Sequence, residues 1–403
     1  MIDKKIKKNE CCGCSACNNI CPLECITMKS DSEGFWYPEV DYTKCIKCQK
    51  CIKVCPAINK PLTDNVLKNA QVIAAYSKDE EVRINSTSGG MFSEIAKYIL
   101  NNKGKVFGAR YNKEHLVEHY KIEEISQIEI LRQSKYLQSD ILKTFKEAKE
   151  ELDKENTVLF AGTPCHIAAL KNFLGKDYEN LLTIDFLCRG VISPDVYKQY
   201  LKSLEKKYNS KIKKVIFKNK TFGWHRFSTK VIFENGEEYI KDRYTDSYMR
   251  GYLEGNLYLR PSCYECQYKT LPRYSDITLG DFWGIEKSKK HLDQDKGTSI
   301  FMVNTNKGKE VFRKIKGNLV FEEMKLEDIY LGNVALTQKT KYPNLKKKEE
   351  FFKYYLEEDF EKLIEKLLKK NMLQKTKSLI KKILIVLKYK KYKGSLSNSV
   401  GKK

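Results

Sequence analysis

The chain has 403 residues and a mass of 47.1 kDa, a length that suggests two or three domains of ordinary size. Hydrophobic residues make up 41% of the sequence, with only 9 Pro and 21 Gly, which excludes a collagenous or wholly disordered chain. The formal net charge is +23, but residues 366–403 contain 13 lysines and no acidic residue. The rest of the chain is only mildly basic, so the charge does not indicate a nucleic-acid-binding protein.

The sequence lacks the signals of secretion and of membrane insertion. No apolar stretch reaches the roughly 18 residues of a membrane-spanning helix, and no apolar segment of a signal peptide precedes the first cysteines. We therefore expect a cytoplasmic protein. In that reducing compartment the 14 cysteines are expected to be metal ligands or redox groups and not disulfides.

Two copies of one cysteine run open the chain: Cys11-x2-Cys14-x2-Cys17-x3-Cys21-Pro22 and Cys45-x2-Cys48-x2-Cys51-x3-Cys55-Pro56. This spacing is typical of bacterial ferredoxins, in which three cysteines of a run bind one 4Fe-4S cluster and the fourth binds the other cluster. The predicted ligand sets are Cys11, Cys14, Cys17 and Cys55 for one cluster, and Cys45, Cys48, Cys51 and Cys21 for the second. Zinc prefers two separated pairs of ligands, which these runs do not offer. Cys12 and Cys25 are expected to be spare, partly buried thiols.

The cysteine runs predict an α+β ferredoxin-like dicluster domain over residues 1–62, followed by a polar linker. Beyond it, apolar runs at residues 72–76, 106–109, 158–161 and 181–187 indicate buried strands, and the apolar spacing at 91–99 and 167–173 indicates helices. Alternating strands and helices predict a mixed α/β core domain over residues 63–345. Within it, residues 212–241 predict an antiparallel piece, because Asn235-Gly236 is a hairpin turn signal.

Residues 346–403 are predicted to form a basic helical tail. Thr376 to Tyr392 combine apolar residues with lysines and contain no acidic residue. Such a helix either lies on an anionic membrane surface, at the inner face of the membrane, or packs on the core with its lysines in water.

Four further cysteines, Cys165, Cys188, Cys263 and Cys266, are enough for one more four-thiolate site. Iron–sulfur ligation, zinc ligation and separate thiols all remain open for them on the sequence. Distinctive strings surround these cysteines: Gly162-Thr163-Pro164-Cys165, Cys188-Arg189-Gly190 with Ser193-Pro194, and Cys263-x2-Cys266 with Gly280-Asp281-Phe282-Trp283-Gly284.

Together with Ser86-Thr87-Ser88-Gly89-Gly90, these strings resemble the family of beta subunits of coenzyme F420 hydrogenases and dehydrogenases over roughly residues 10 to 340. The resemblance implies FAD and a core iron–sulfur cluster, and electron transfer between a ferredoxin-type donor and a deazaflavin or another organic acceptor. The dicluster domain and the Phe222-Gly223-Trp224 string are similar to a subgroup associated with bacterial polysaccharide synthesis. His166 stands where Gln is commoner in the family.

The turn at Ser86, Thr87, Ser88, Gly89 and Gly90 precedes a predicted helix, whose free N–H groups suit the pyrophosphate of FAD. Simple N-capping of that helix by Ser88 is the alternative. Gly162 and Thr163 form a second candidate turn. Candidates for steering a proton or hydride are His166, Arg189 and His225. Phe282 and Trp283 either flank a flavin ring or pack in the core.

The sequence thus predicts an iron–sulfur flavoprotein oxidoreductase with two N-terminal 4Fe-4S clusters, a third cluster in the core, and FAD. Electrons would pass from reduced ferredoxin or another redox protein to a small-molecule acceptor, a deazaflavin or a metabolite of polysaccharide synthesis, and the direction is open. The alternative is a non-catalytic electron-transfer subunit of a larger redox complex. A nucleic-acid partner is not expected.

Overall fold

The structure of the chain is a computed structural model that describes residues 1–61, 70–330 and 332–369. Its strands are β1 (Ile26–Ser30), β2 (Trp36–Val40), β3 (Gln71–Ser77), β4 (Lys105–Tyr111), β5 (Val117–Ile122), β6 (Val158–Ala161), β7 (Leu181–Phe186), β8 (Ile212–Asn219), β9 (Ser228–Phe233), β10 (Glu238–Asp242), β11 (Ile277–Asp281), β12 (Ser299–Val303) and β13 (Leu319–Met324). Its α-helices are α1 (Ile2–Lys5), α2 (Ala16–Ile20), α3 (Lys50–Lys53), α4 (Glu80–Ile84), α5 (Met91–Asn101), α6 (Ile128–Leu131), α7 (Thr144–Asp153), α8 (Pro164–Leu174), α9 (Pro194–Tyr208), α10 (Ser247–Arg250), α11 (Ile285–Ser288), α12 (Asn306–Ile315), α13 (Leu326–Tyr330), α14 (Leu345–Tyr354) and α15 (Phe360–Leu368).

A mixed eight-stranded sheet forms the centre of the fold, with the strand order β13-β3-β12-β11-β7-β6-β4-β5. Strands β4, β6, β7 and β11 are parallel, and antiparallel strands extend the sheet on both sides. The four apolar runs of the sequence are strands β3, β4, β6 and β7, so these predictions are confirmed. The mixed α/β architecture of the core is confirmed as well.

Helices cover both faces of this sheet, because successive residues of its strands point to opposite sides. On one face, Val106 and Leu159 pack with apolar residues of α5 and α12. On the other face, Phe107 and Phe160 pack with α7 and α8. Layers on both sides explain why the strands are apolar throughout.

The N-terminal segment contains an antiparallel pair, β1 and β2, in which Ile26 pairs with Val40 and Ser30 with Trp36. Its small core contains Ile2, Ile26 and Val40 together with cysteines of both runs. Helix α2 of this segment contacts α7 and α8 of the core. The boundary predicted near residue 62 falls next to residues 62–69, which lie outside the described part of the chain.

A second sheet, β10-β9-β8, is antiparallel, which confirms the prediction for residues 212–241. Gly236 has a φ of +87°, the left-handed conformation that a tight hairpin needs. Helices α14 and α15 bury Phe351, Phe360 and Leu363 against this part of the core. The first two helices of the predicted tail are thus packed on the protein, whereas its lysine-rich part, from residue 370 onward, lies outside the described residues.

Across the described residues, the structure has no helix that is long and apolar enough to cross a membrane.

Candidate cofactor sites

The cysteines of the two N-terminal runs line two separate cavities. One cavity is lined by Cys11, Cys14, Cys17 and Cys55, with Cys12 beside them. The other is lined by Cys21, Cys45, Cys48 and Cys51, with Cys25 beside them. The grouping pairs three cysteines of one run with the fourth cysteine of the other run, the same partition that the spacing predicts. We call them the proximal set (Cys11, Cys14, Cys17, Cys55) and the distal set (Cys21, Cys45, Cys48, Cys51).

The two runs also share their backbone conformation. Gly13 and Ser15 have positive φ angles of 68° and 56°, and Lys47 and Gln49 at the matching positions of the second run have 56° and 60°. Non-glycine residues rarely adopt this conformation. Its recurrence at matching positions shows that the two loops have similar backbone conformations.

Cys12 and Cys25 lie next to the predicted ligands. The sulfur of Cys25 is 3.3 Å from that of Cys21. The thiol of Cys12 is close enough to those of Cys14 and Cys165 to interact with both, so it lies between the proximal set and the core.

The four remaining cysteines come from distant segments but lie together. Cys165 is in the first turn of α8, Cys188 follows β7, and Cys263 closes a short 3-10 turn. The thiol of Cys188 is close enough to interact electrostatically with those of Cys263, Cys165 and Cys266. We call these four residues the core set.

Backbone N–H groups point at the core set. The amide of Val191 donates to the sulfur of Cys263, and that of Tyr268 donates to the sulfur of Cys266, each at 3.4 Å. Gly190 allows close packing here, because a Cβ at this position would lie 3.0 Å from the Cβ of Cys263. Amides of this kind stabilise the negative charge of metal-bound thiolates.

Burial sets the protonation of the core set. It raises the pKa of Cys263 to about 12, and it also raises the pKa of Cys188. These thiols are therefore protonated at neutral pH unless a metal displaces their protons. Four neighbouring sulfur ligands fit an iron–sulfur cluster and also a zinc ion.

A cavity of about 500 Å³ lies beside the core set. It is bounded by residues at or near the carboxyl ends of the parallel strands: Ala109 of β4, Ala161 of β6, Phe186 of β7 and Asp281 of β11. This edge is the usual place for ligands in α/β sheets. Its size is that of a pocket for a small molecule or cofactor.

Most of the predicted flavin-binding and catalytic residues line this one cavity: Ser86, Thr87, Ser88, Gly90, Gly162, Thr163, His166 and Arg189. Cys188 of the core set lines it as well. The cavity therefore brings the two predicted turns and the core set together.

The first turn leaves the start of α5 open. Gly90 is the N-cap residue, with a φ of +91° and no side-chain cap, and Ser88 instead donates to the carbonyl of Thr298 at 2.8 Å. N-capping by Ser88, the alternative that the sequence allowed, is therefore wrong. The first helical residues, Met91 and Phe92, line the cavity, where uncapped N–H groups suit an anion.

Gly89 does not line the cavity. A Cβ on Gly89 would lie 2.4 Å from the carbonyl oxygen of Ala75, so this glycine lets the turn pack against β3. The second turn is less open than the first, because Thr163 caps α8 by accepting from the amide of His166.

His166 faces a second histidine that the sequence did not single out, His119, with ring centroids 5.2 Å apart. Burial lowers the pKa of His119 to about 4 and lowers that of His166 as well. His119 is hydrogen-bonded to Ser139 and to the carbonyl of Ala161, whereas Nδ1 of the buried His166 has no partner among the described residues. Both rings are neutral at physiological pH.

Arg189 and His225 lie in different places. Arg189 donates to the carbonyl of Leu253 and to Asn256 at 2.9 and 2.8 Å, and it lines the cavity next to Cys188. His225 is absent from the described lining residues. Its Nε2 is 3.0 Å from both carboxylate oxygens of Asp293.

The two aromatic candidates also lie in different places. Trp283 lines the cavity and stacks on Trp224, with centroids 4.5 Å apart and planes 7° apart. Phe282 is fully buried in the apolar core.

Several cations of the cavity were missed from the sequence: Arg132, Lys135, Lys218 and Arg243. Lys218 is 1% exposed and pairs with Asp281 at 2.8 Å. Arg132 donates to Ser93 in the first turn of α5 at 3.1 Å. In a chain so rich in lysine, no sequence signal distinguishes these residues. Asp281 balances the charge of Lys218, so Arg132, Lys135 and Arg243 are the cations that make the cavity suitable for an anionic ligand.

Comparison with known proteins agrees with these features. Residues 155–329 match the family model for the C-terminal part of the beta subunit of coenzyme F420 hydrogenase/dehydrogenase. The F subunit of the F420H2 dehydrogenase of Methanosarcina mazei is 25% identical over 206 residues, which are 48% of this chain and 58% of that protein. The I subunit of the NADH-quinone oxidoreductase of Pelobacter propionicus is 35% identical over 57 residues, 12% of this chain and 31% of that protein.

Among solved structures, a chain of the xenon-derivatised F420-reducing NiFe hydrogenase complex from Methanosarcina barkeri is similar at 17% identity and a TM-score of 0.43, covering 74% of this chain and 90% of that chain. The chain thus spans 58% of the length of the first of these curated relatives and 31% of the length of the second. Residues 155–329, with the cysteine motifs within them, are thus similar to the C-terminal part of the beta subunits of coenzyme F420 hydrogenases and dehydrogenases.

Proposed function

We propose that this chain is an iron–sulfur flavoprotein oxidoreductase that passes electrons from a ferredoxin-type donor, through 4Fe-4S clusters and FAD, to an organic acceptor. The coarser part of this statement, a redox role, is supported by the similar proteins, which are components of oxidoreductases. The observation that carries the finer part is that one cavity joins the open start of α5 to Cys188 of the core set.

Two 4Fe-4S clusters are proposed for the N-terminal segment, over residues 1–62. Their support is the division of eight cysteines between two cavities, with three sulfurs from one run and one from the other in each. When bound, iron–sulfur clusters exchange single electrons and a flavin exchanges one or two, which lets one-electron carriers serve an acceptor of two electrons.

A third cluster is proposed for the core set. Its four cysteines are half-buried, and two of their sulfurs accept hydrogen bonds from backbone N–H groups, an arrangement that suits a charged metal–thiolate group. The protein's task at this site is to keep water away and to hold four sulfurs from three segments in one place.

FAD is proposed for the cavity, with its pyrophosphate near Ser86, Thr87 and the first turn of α5. The loop from Arg132 to Ser134 is tied to this turn, because the amide of Ser134 donates to Oγ1 of Thr87 at 2.7 Å. Lys220 fixes the turn from outside by donating to the carbonyl of Ser88 at 2.9 Å. These contacts preorganise the anion-binding end of the cavity.

The other end of the cavity is proposed for the acceptor. Trp283, Arg243 and the Lys218–Asp281 pair lie there, and Arg189 and His166 remain the candidates for guiding a proton or hydride. A deazaflavin or an acidic metabolite of polysaccharide synthesis fits this cationic and aromatic lining by its charge. His225 is a weaker candidate because it lies outside the lining.

The test is anaerobic titration of the full chain with FAD, with iron and sulfide measured in the same samples. We expect one FAD per chain, and we expect Arg132→Gln to lower the affinity about tenfold or more, as loss of a charge-assisted hydrogen bond does, without loss of iron. Arg110→Gln is the matched control, because Arg110 pairs with Glu118 on a neighbouring strand and is absent from the lining residues.

The alternative, a non-catalytic electron-transfer subunit, gives the opposite result. A wild-type protein that carries its clusters but neither retains nor binds FAD would favour that alternative and contradict the enzyme.

A further inference from the structure

Arg260 is a fully buried cation at the junction between the N-terminal segment and the core, with 0% of its surface exposed. Its Nε donates to the carbonyl of Cys11 at 2.7 Å, and its Nη2 donates to the carbonyl of Trp36 at 2.9 Å. Nη1 donates to the side-chain oxygen of Gln138 at 2.8 Å. The guanidinium is thus held by neutral groups on three sides.

The charge of Arg260 has no carboxylate partner among the described residues. None of the ion pairs in that part of the chain includes it, and the rings of Tyr37 and Phe35, at 4.4 and 5.5 Å, offer only their π faces. Burying an unpaired charge is costly, and proteins compensate it with a nearby opposite charge. The polar group left to supply that charge is sulfur: Nη2 lies 3.6 Å from the sulfur of Cys11.

A free thiol is neutral at physiological pH, but a metal-bound thiolate is not. Arg260 therefore gains a counter-charge when the proximal set carries a metal–thiolate group. Its position is tightly constrained, because a Cβ on Gly13 would come within 2.7 Å of Nη1. Arg260 also lies three residues before Cys263, so it stands between the proximal set and the core set.

The distal set has no equivalent among the described residues. Cys48 is exposed, and Lys50, which lines the same cavity, is exposed too. Water and salt screen an exposed lysine far more than a buried arginine. The two sets thus differ in the charge that surrounds them, although their cysteine runs are alike.

We propose that Arg260 is the counter-ion of the cluster bound by Cys11, Cys14, Cys17 and Cys55, and that its charge gives this cluster a higher reduction potential than the cluster of the distal set. This inference rests on the proposed function. A cluster gains one negative charge on reduction, so a buried cation stabilises its reduced state. With clusters bound at both sets, Arg260 would favour transfer of one electron from the reduced distal cluster, which would be oxidised, to the proximal cluster, which would be reduced.

The experiment is a redox titration of the anaerobic full-length protein, followed by electron paramagnetic resonance after iron and sulfide have been measured. A water-soluble paramagnet assigns the signals, because it broadens first the cluster beside exposed Cys48. In Arg260→Gln we expect the equilibrium constant for reduction of the proximal cluster to be about tenfold lower than in the wild type. This corresponds to a shift of its reduction potential by about 59 mV to a more negative value. The distal cluster should not change, and Arg260→Lys should retain most of the wild-type value.

A second pair of variants leaves Arg260 in place. Gln138→Glu puts a carboxylate beside the guanidinium and should lower the potential of the proximal cluster, whereas Gln138→Met removes the hydrogen bond without adding charge and should change it little. Lys50→Gln is the control for loss of an exposed charge.

The outcomes separate this inference from the proposed function. Full iron with an unchanged proximal potential in both Arg260→Gln and Gln138→Glu would overturn the role of Arg260 and leave the cluster assignment intact. A wild-type protein without iron at the proximal set would overturn the proposed function itself. If Arg260→Gln loses its iron, the proximal potentials of Gln138→Glu and Gln138→Met are compared instead. A lower potential in Gln138→Glu supports the role of Arg260, and equal potentials in the two variants would overturn it.

Discussion

The thiol of Cys12 lies close enough to the thiol of Cys165 for the two to interact, although the two residues belong to different segments of the chain. This contact joins the first cysteine run to the start of α8, next to the core set. Gln138 strengthens the same junction, since its side chain donates to the carbonyl of Gly13 at 3.3 Å. The proximal set and the core set are therefore neighbours across one packed interface.

Replacing Cys165 by alanine tests the third cluster. With four irons in each cubane, anaerobically purified wild-type protein should contain about twelve irons, and Cys165→Ala should contain about eight. Iron and sulfide analysis measures both. Cys12→Ala is the matched control, because it removes a neighbouring thiol outside the three sets and should retain about twelve irons. Wild-type protein with about eight irons, or with one zinc per chain, would contradict the third cluster.

Lys135 should make FAD binding depend on pH. Burial lowers the pKa of Lys135 to about 7, and its ammonium donates to the carbonyl of Arg132 at 3.0 Å at the edge of the cavity. Because an anionic ligand favours the protonated lysine, affinity should fall about tenfold as pH rises from about 6 to about 8. Fluorescence titration with FAD measures this slope. Lys135→Met should bind FAD more weakly and lose most of the slope, and an equal slope in this variant would refute the assignment.

His119 should make the fold sensitive to acid. Burial lowers the pKa of His119 to about 4, below its value of about 6.5 in the unfolded chain. Between these values the unfolded state binds the proton and the folded state does not, so stability falls as pH decreases below about 6.5. The loss should be about 1 kcal/mol between pH 7 and pH 5.5.

His119→Gln should be less sensitive over that range by about the same amount, as measured by urea unfolding at both values of pH. The lowered pKa of His166 also makes the fold less stable in acid, and this contribution remains in the His119→Gln variant. An identical pH dependence of the wild type and His119→Gln would show that His119 titrates normally in the fold.

The ion pair between Arg273 and Asp185 should be important for stability. Both side chains are fully buried, and Nη2 of Arg273 lies 2.9 Å from Oδ2 of Asp185. This oxygen accepts no hydrogen bond among the described residues, so the contact is an ion pair without a hydrogen bond. Arg273 also donates to the carbonyl of Lys269, in the loop after Cys266. Arg273→Met leaves a buried carboxylate unpaired and should lower the free energy of unfolding by about 3 to 5 kcal/mol.

Chemical unfolding of the full chain measures this loss. Arg110→Met, which breaks a more exposed pair with Glu118, should cost about 1 kcal/mol or less. Equal losses in the two variants would contradict a special role for the buried pair.

The lysine-rich end of the chain should bind anionic membranes. Each lysine near such a surface contributes about 1 kcal/mol at low salt, and residues 370–403 contain no acidic residue. The truncation that tests this must follow Lys369, since Leu367 of α15 is buried in the core. Full-length protein should cosediment with vesicles containing anionic lipid and the truncated protein should not. Equal cosedimentation of both would exclude binding through this segment.

The sequence determined the local features of this protein. Repeated spacing alone was enough to divide eight cysteines into the two groups that line separate cavities, because each run of about ten residues is expected to supply three ligands of one cubane and the fourth ligand of the other. The strands β3, β4, β6 and β7 could also be predicted from the sequence, since strands that are buried on both faces are apolar along their whole length.

Tertiary structure alone decided what lies next to what. The capping of α5 could not be read from Ser88, because that hydroxyl finds the carbonyl of Thr298, more than two hundred residues away. The same holds for Arg260, one arginine in a basic chain until folding buries it against Cys11 and leaves it without a carboxylate among the described residues. The effect of a buried charge depends on the groups around it. Those groups come from segments that are far apart in the sequence, and the sequence does not show that they are in contact.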